Sequence, residues 1–560
     1  MRGIANLSVC LVVLAASVRP ANGREAGQGP TWGFFAISEV GDPLKDLPLV
    51  SWSRRTGLMW SKLELPPGSG RYDWNYMDGL VGKAQENDVN LVFVLKTGSP
   101  PEASEAACYQ EAARGGGAGG GSRPPRGREH PGPGPHRRRG GAGAGGAEGG
   151  DPESRGERET NTTSCPIRDD YLPAWKRLVA AVIERYDGDG KDDMPRLARG
   201  FRLDIEVENE AGYRVFWDPA EPDGTRAAKA FLPLLRAAYE AKESANPATR
   251  IIAPGITQPQ TLARCATNLR GKECSDPLYV RNRDFAEEVL KHPQYFDAVD
   301  VHFFNYFRFD PDFIPDGIRW VRDQMRRAGG EKPIYSLEWT GAMMMNVKRD
   351  GHEQEFLSQF PFPEAARLEA LQQIYKNLSD PRNEKYRRWF ELEQAREFPK
   401  LFTTLLAQGV QRLIHVQFHD YLGQGWNSVW WNWQGIVRYE GNRSNPVLIR
   451  KPVYYTYQTL APKLAGFERV EVLASGDRVG YKFLFPDRKP VVVAWTNTGE
   501  RTVDLSRHLE GDVLRVTPLV EEAEDQGRPI RPEPRTAKST VVRLTETPVL
   551  IEAAEGSNRR

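Results

Sequence analysis

The chain has 560 residues, of which 39% are apolar, and it contains 14 tryptophans. This length and composition exclude a wholly disordered protein and predict one large domain with a smaller one beside it. Lys and Arg number 76 against 75 Asp and Glu, so the formal charge of +1 creates no overall field that would favour nucleic acid or an anionic membrane surface.

The N-terminus has the pattern of a secretion signal. Arg2 precedes an apolar run from about Leu7 to Ala16, and small residues lead to a cleavage point near Gly23. A membrane anchor would need a longer apolar span, and no later stretch is apolar enough to cross a bilayer. We therefore predict that residues 1–23 are a signal peptide, that the protein is secreted or periplasmic, and that it has no membrane partner.

Four cysteines follow the signal, which itself contains Cys10. Four cysteines allow three pairings, and the short spacing favours Cys265 with Cys274, which leaves Cys108 with Cys165. An oxidising compartment supports such disulfides. The alternative is zinc binding, but the sequence has no CxxC spacing and no histidine cluster. We predict neither a metal nor a cofactor.

Strand-like and helix-like segments alternate along the first 460 or so residues. The helix-like segments include "AWKRLVAAVIERY", in which Trp175, Leu178, Val179, Val182 and Ile183 recur with helical spacing. Such alternation predicts a (β/α)8 barrel over residues 31–466. The eight strand-like runs are "WGFFAI", "GLMWSKLEL", "NLVFVLK", "FRLDIEVE", "RIIAPGI", "FDAVDVHFF", "PIYSLEW" and "RLIHVQFH".

Two long insertions interrupt the barrel pattern. Residues 114–156 are rich in Gly, Pro and Arg and are predicted to be a disordered excursion in the third βα loop. This basic tract could instead bind an acidic polymer such as nucleic acid, but it lacks the aromatic residues that base stacking requires. Residues 341–384 follow the seventh strand and are expected to shape a cleft. Beyond the barrel, short alternating runs predict a small antiparallel β-sandwich over residues 467–553.

The fourth strand carries acidic residues at every second position. Period-2 alternation places its apolar residues under the surrounding helices and its carboxylates inside the barrel. Buried like charges need cations, and we expect Lys62, Lys96 and His302 to supply them. The acidic residues are Asp204, Glu206, Glu208 and Glu210, and the apolar ones are Leu203, Ile205 and Val207.

Two glutamates lie at strand ends that face each other across such a barrel. Glu210 follows the fourth strand, and Glu338 in "KPIYSLEWTG" ends the seventh. The deeper acids, Asp204 and Glu206, are expected to be structural, because catalysis in these barrels takes place at the carboxyl ends of the strands. Two carboxyl groups about 5 Å apart can cleave a glycosidic bond with retention of configuration. Glu208 is the alternative to Glu210.

The two glutamates lie in sequence pieces that, together with three others, form a recognisable series along the chain. The pieces "GRYDWNYMD", "EVENEAG", "DAVDVHFF", "KPIYSLEW" and "RKPVYYTYQTLAPKLAGFERV" lie in order over roughly residues 57–470. The chain resembles the clan A glycoside hydrolases and, among them, family 39, which holds β-xylosidases and α-L-iduronidases. The resemblance implies that Glu210 is the acid/base, Glu338 the nucleophile and Asn209 a hydrogen-bond donor to the sugar 2-hydroxyl.

Further substrate contacts are expected around this pair. By the same resemblance His302 contacts substrate, and Tyr306 replaces the aromatic hydroxyl that relatives carry where this chain has Phe304. Sugar rings pack on flat aromatic side chains, so we expect Trp426, from the loop after the eighth strand, and Trp339 to line the cleft.

The expected function is an exported, retaining, exo-acting O-glycosidase of the β-xylosidase type, with an oligosaccharide or polysaccharide as its substrate. One alternative is an endo-acting glycanase of the same clan, and another is a non-catalytic carbohydrate-binding barrel. A nucleic-acid binder that works through residues 114–156 is a further alternative, which we do not favour. The identity of the sugar and the oligomeric state are left open.

Overall fold

A computed structural model describes most of the chain outside its N-terminal segment and a few loops. The described residues are 30–35, 47–115, 163–266, 272–304, 312–341, 381–420, 434–442, 445–473, 478–509, 513–520, 534–537 and 539–554. The predicted signal at 1–23, nearly all of the insertion at 114–156 and most of the insertion at 341–384 lie outside them.

Eight parallel strands close into a barrel, with each strand paired to the next and the eighth paired to the first. The predicted (β/α)8 architecture is confirmed. The strands are β1 Thr31–Phe35, β2 Val50–Met59, β3 Asn90–Lys96, β4 Leu203–Val207, β5 Ile251–Thr257, β6 Ala298–Phe304, β7 Ile334–Thr340 and β8 Arg412–His415.

Helices surround the barrel and bury their apolar faces against it. In the helix Leu172–Tyr186 (α4) the five predicted core positions are all buried, from Trp175 to Ile183. The helices are α1 Trp60–Leu63, α2 Asn75–Glu86, α3 Ala106–Gly115, α4 Leu172–Tyr186, α5 Gly224–Ala245, α6 Pro259–Ala266, α7 Pro277–Leu290, α8 Phe313–Arg327, α9 Glu384–Ala407 and α10 Pro452–Leu464. Among the described helices, none combines the length and apolar character needed to cross a bilayer.

The second strand begins and ends earlier than predicted. It covers Val50–Met59, and the run expected to continue it forms the short helix α1 instead. Lys62 therefore lies on α1 with an exposed side chain, and the prediction that it enters the barrel as a cation is wrong. The true interior cation of β2 is Arg54, which is fully buried.

Both predicted disulfides are present. Cys108 in α3 bonds Cys165, and Cys265 in α6 bonds Cys274. The first bond joins the two ends of the segment that contains the long Gly and Arg-rich insertion. It thereby fixes where the chain leaves the barrel and where it returns.

The C-terminal strands form an antiparallel region, as predicted. Six strands form one sheet, and Arg501–Asp504 (β14) pairs with Val541–Leu544 (β17). Buried residues of both sheets, including Val492 and Val542, share one core. The hydrophobic core of the barrel continues into this region, because Phe402 of α9 and Tyr481 belong to the same buried cluster. The hydroxyl of Thr404 on α9 also donates to the hydroxyl of Tyr481 at 3.0 Å. The domain boundary at residue 466 remains a prediction. The strands are β11 Arg469–Val472, β12 Arg478–Leu484, β13 Val491–Thr496, β14 Arg501–Asp504, β15 Leu514–Pro518, β16 Arg535–Ala537, β17 Val541–Leu544 and β18 Val549–Ala553, after a hairpin of β9 Val437–Asn442 and β10 Asn445–Arg450.

Candidate active site

Glu210 and Glu338 lie close together at the carboxyl end of the barrel. Glu210 follows β4 and Glu338 is on β7, and a carboxylate oxygen of one is within 4.8 Å of a carboxylate oxygen of the other. Their residues are 8% and 5% exposed, so both are largely shielded from water at the mouth of the barrel. The structure thus brings together the two glutamates that the strand order had paired.

The four acids that begin on β4 have different partners. The oxygens of Asp204 accept from the side chain of Arg412 and the backbone N–H of Arg250. Glu206 is paired with Arg54. Glu208 accepts from the backbone N–H of Thr97 at 2.7 Å and so turns toward β3, whereas Glu210 bonds His302. All four acidic side chains are therefore buried, as the alternation along β4 predicted.

Arg54 links three residues of the site. Its Nε and Nη2 donate to the two oxygens of Glu206 at 2.7 and 2.9 Å, its Nη2 also donates to Oδ1 of Asn209 at 2.7 Å, and its Nη1 bonds Glu338. Burial alone would lower the pKa of Arg54, but the carboxylates of Glu206 and Glu338 raise it above its usual value. A permanent positive charge therefore lies against one oxygen of Glu338.

Sequence reasoning missed Arg54 because it placed the second strand too late in the chain. The available signal was a basic residue two positions after Trp52 in the run "VSWSRR", which lies before the expected strand. Trp52 belongs to the apolar cluster inside the barrel, and a residue two positions later faces the same way.

His302 on β6 bridges the two candidate catalytic glutamates. Its Nδ1 is 2.8 Å from Oε1 of Glu210 and 3.6 Å from Oε2 of Glu338, and its Nε2 is 2.7 Å from Oδ2 of Asp300. Burial lowers the pKa of His302, but the Glu338 and Asp300 carboxylates outweigh it and the pKa is raised well above 6.5. The ring is therefore an imidazolium that donates from both nitrogens.

Asp300 was also missed, although its signal was available. Asp300 and His302 are two apart on β6 and therefore face the same side of the strand. Gly255 on β5 leaves the room that the ring needs, because a Cβ there would lie 2.3 Å from Nε2 of His302.

The charge on Glu338 reflects opposing effects. Burial raises its pKa, the cations His302 and Arg54 lower it, and the neighbouring Glu210 raises it again. The net direction is upward from 4.5. Glu338 thus needs both cations in order to ionise near neutral pH.

The predicted substrate contacts have different outcomes. Asn209 is 9% exposed beside Glu210, and because Arg54 occupies its Oδ1, its amide group is left as a donor. Trp339 does not line the cleft, so that prediction is wrong: its ring is 1% exposed and packs on Phe398 and Phe402 of α9. The register of β7 shifts between Ser336 and Trp339, so that Leu337 and Glu338 both face the barrel interior and Trp339 faces the helices. Tyr306 and Trp426 lie outside the described residues.

Three groups of side chains in the described ranges have ligand atoms close enough together for a metal ion. In the two groups inside the barrel, Arg54 already contacts Glu206 and Glu338, and His302 bonds carboxylates through both nitrogens. A metal there would have to displace these contacts. The groups are Glu206, Asp300 and His302; Glu210, His302 and Glu338; and, on a surface loop, Asp187, Asp189 and Asp193.

The sequence matches no protein-family model and no curated protein. The fold, however, is similar to those of solved glycoside hydrolases. A family 39 glycoside hydrolase from Bacteroides cellulosilyticus WH2 is 13% identical with a TM-score of 0.54, over 94% of this chain and 81% of that one. A glucosidase from Croceicoccus marinus is 11% identical with a TM-score of 0.50, over 95% and 98%.

A third similar structure is that of BuGH86 in complex with neoagarooctaose, which is 12% identical with a TM-score of 0.54 over 94% and 75% of the two chains. At the level of fold, these likenesses confirm the resemblance that the sequence motifs suggested.

Proposed function

We propose that this protein is a retaining glycoside hydrolase in which Glu338 is the nucleophile and Glu210 the acid/base. The observation that carries the proposal is the approach of their carboxylate oxygens to within 4.8 Å. Retaining enzymes hold these groups about 5–5.5 Å apart, whereas inverting enzymes need about 6.5–9.5 Å to admit a water molecule. The short separation supports double displacement.

The contacts of the site support these roles. Glu338 attacks the anomeric carbon while Glu210 gives its proton to the departing glycosidic oxygen. His302 donates to Oε1 of Glu210, which leaves Oε2 of Glu210 to carry that proton. Arg54 and His302 keep Glu338 ionised for attack. Once Glu338 is esterified, its negative charge is gone, and Glu210 can accept a proton from the water that releases the sugar.

More specifically, we propose that the enzyme is exported, is β-xylosidase-like, and acts at the ends of oligosaccharide or polysaccharide chains. Export is supported by the signal-like N-terminus together with two disulfides, which form and persist in oxidising compartments. Catalysis rather than mere binding is supported by the cost of holding two glutamates together. A protein that only bound sugar would have no need of two cations to stabilise that pair.

Azide rescue tests the proposal. The wild type and Glu338→Gly are assayed on a panel of aryl α- and β-glycosides, with and without sodium azide. We expect the variant to lose at least about 10³-fold in kcat on the substrate that the wild type hydrolyses. Azide should restore turnover and yield a glycosyl azide of inverted configuration, because azide enters the space of the missing carboxylate.

Glu208→Gln and Glu210→Gln provide the matched comparison for the acid. Only Glu210→Gln should abolish turnover of a substrate with a poor leaving group while sparing kcat/KM on an activated aryl glycoside, whose leaving group needs no acid to depart. Equal losses in both variants would contradict the assignment of Glu210, and full activity in Glu338→Gly would contradict the nucleophile.

A further inference from the structure

The seventh barrel strand contains one residue more than its neighbours just before the proposed nucleophile. Tyr335 pairs with Asp300 and Glu338 pairs with His302, so two residues of β7 lie opposite the single residue Val301 of β6. The register against β8 shifts over the same stretch. A strand with an extra residue against both neighbours has a β-bulge, and here the bulge directly precedes Glu338.

The bulge determines which way Glu338 points. Tyr335 and Leu337 belong to the apolar cluster inside the barrel. Side chains of a regular strand alternate, so the residue after the inward Leu337 would face the surrounding helices. The extra residue reverses this, and Glu338 meets Arg54 and His302 in the barrel interior instead.

Asp300 on β6 holds the bulge with one of its oxygens. Leu337 is the extra residue, because it has a partner in neither register of the described strands that flank β7. Its backbone N–H donates to Oδ1 of Asp300 at 2.7 Å. The hydroxyl of Ser336 spans the same gap and donates to the carbonyl of Val301 at 2.8 Å. Two fully buried side chains therefore replace strand contacts that the bulge interrupts.

The other oxygen of Asp300 reaches the second half of the site. Its Oδ2 is 2.7 Å from Nε2 of His302, whose Nδ1 bonds Oε1 of Glu210. One carboxylate thus holds both the backbone that carries Glu338 and the ring beside Glu210. Because Asp300 is fully buried and both its oxygens are bonded within the protein, it acts on the reaction only through the residues that it holds.

We propose that Asp300 is a positioning residue that clamps the β7 bulge and thereby aims Glu338 at the anomeric carbon. This inference rests on the proposed function, in which Glu338 is the nucleophile. The geometry of attack is demanding, since a misplacement of about 1 Å can cost about 100-fold in rate. A carboxylate suits the task, because an ionised acceptor forms a stronger hydrogen bond to a backbone N–H than a neutral one does.

The first test measures attack by Glu338 without help from the acid/base. The probe is the 2-deoxy-2-fluoroglycosyl fluoride of the sugar that the wild type hydrolyses. Glu338 forms an ester bond to the anomeric carbon as the carbon–fluorine bond there breaks, and fluoride leaves with the bonding electrons and needs no proton. The second fluorine slows hydrolysis of the ester, which accumulates. The rate constant of labelling at saturating probe is independent of the amount of folded enzyme.

The proteins are the wild type, Asp300→Ala, Asp300→Asn and the control Asp204→Asn. Asparagine at position 300 keeps an oxygen that can accept from the N–H of Leu337, whereas alanine does not. Asp204 is a matched control because it is also buried and also bonds a backbone N–H and a cationic side chain. Its partners, Arg250 and Arg412, lie at the amino-terminal end of the barrel strands, away from the two glutamates.

We expect Asp300→Ala to lower the rate constant of labelling by about 100-fold and to change the dissociation constant of the probe little. Asp300→Asn should recover about 10-fold of this loss, which is the effect of one neutral hydrogen bond. Asp204→Asn should react like the wild type. A role of Asp300 in stability alone would reduce the folded fraction and leave the rate constant unchanged. Mass spectrometry of the peptide that contains Glu338 identifies the labelled residue.

Hydrogen exchange tests the clamp itself, without a substrate. In Asp300→Ala the N–H of Leu337 loses its acceptor, so exchange within Ile334–Thr340 should become about 10-fold faster. Exchange within Asn90–Lys96 of β3 should stay as in the wild type, which separates a local effect from a general loss of stability. Asp300→Asn should retain most of the protection in β7.

Two results would overturn the inference. Unchanged exchange of β7 in Asp300→Ala would show that Asp300 does not hold the bulge, and labelling of that variant at the wild-type rate would show that the bulge contact does not aim Glu338. If the wild type hydrolyses no glycoside or is not labelled at Glu338, the proposed function fails instead. The clamp on the bulge is then supported or rejected by the exchange of β7 alone.

Discussion

Glu338 is held between two cations, and the pH dependence of activity should reflect this. The nucleophile must be ionised, so activity is present above the pKa of Glu338 and is lost as the pH falls through it. Burial and Glu210 raise that pKa despite His302 and Arg54. We therefore expect the acid limb of kcat/KM to lie at a higher pH than an ordinary glutamate, with its pKa of about 4.3, would give.

His302→Gln tests the contribution of the imidazolium to this balance. The substitution removes a positive charge near Oε2 of Glu338, so the pKa of Glu338 rises and the acid limb moves to higher pH. The pH profile of kcat/KM on an aryl glycoside measures the shift. His292→Gln, on the outer surface beside Tyr295, is the control and should keep the wild-type profile. An acid limb that stays in place in His302→Gln would show that His302 does not set the charge on Glu338.

At the scale of single elements, β5 matters because it makes room for the imidazolium. A methyl group at Gly255 would lie 2.3 and 2.4 Å from two atoms of the His302 ring and would push it away from Glu210 and Asp300. We expect Gly255→Ala to lower kcat/KM by more than about 10-fold and the free energy of unfolding by about 1–3 kcal/mol. Steady-state kinetics and urea denaturation measure the two effects.

Gly79→Ala is the matched control for the β5 substitution. Gly79 lies in α2 with nothing within 4 Å of the added methyl group. Alanine there should leave kcat/KM unchanged and increase the free energy of unfolding by about 0.5–1 kcal/mol, because alanine favours the helix more than glycine does. Wild-type activity in Gly255→Ala would mean that the imidazole ring of His302 can move aside without loss of function.

The elements also show which features a sequence can reveal. Alternation on β4 predicted which side chains face inward, and the strand order predicted that Glu210 and Glu338 approach each other. The same rule applied to β6 would have found Asp300. It would not have excluded Trp339, because alternation from Tyr335 and Leu337 places Trp339 inside, and the register shift of β7 that turns it outward has no signal in the sequence. Arg54 could not be found in this way, because its partners are 152 and 284 residues away in sequence and its strand was placed at the wrong residues. Local periodicity gives the facing of a side chain but not which distant charge it meets.

At the scale of the whole molecule, the two disulfides should differ in how much they stabilise the fold. Cys108 and Cys165 are separated by 57 residues, and Cys265 and Cys274 by 9. Closing a loop in the unfolded chain removes more entropy when the loop is longer, which gives about 4 kcal/mol for the first bond and about 3 kcal/mol for the second. The longer loop contains the Gly, Pro and Arg-rich insertion.

We therefore expect the double variant Cys108→Ala/Cys165→Ala to be destabilised more than Cys265→Ala/Cys274→Ala. Urea denaturation of the oxidised wild type and both variants measures the difference, and the reduced wild type, which lacks both bonds, should be less stable than either variant. The first bond also lies beside the site, since Thr97 donates to the carbonyl of Cys165 and its backbone N–H holds Glu208. Its removal should accordingly lower kcat/KM, whereas removal of the second should not. Two results together would contradict this prediction. They are a greater loss of stability in Cys265→Ala/Cys274→Ala than in Cys108→Ala/Cys165→Ala, and a loss of activity in the Cys265→Ala/Cys274→Ala variant.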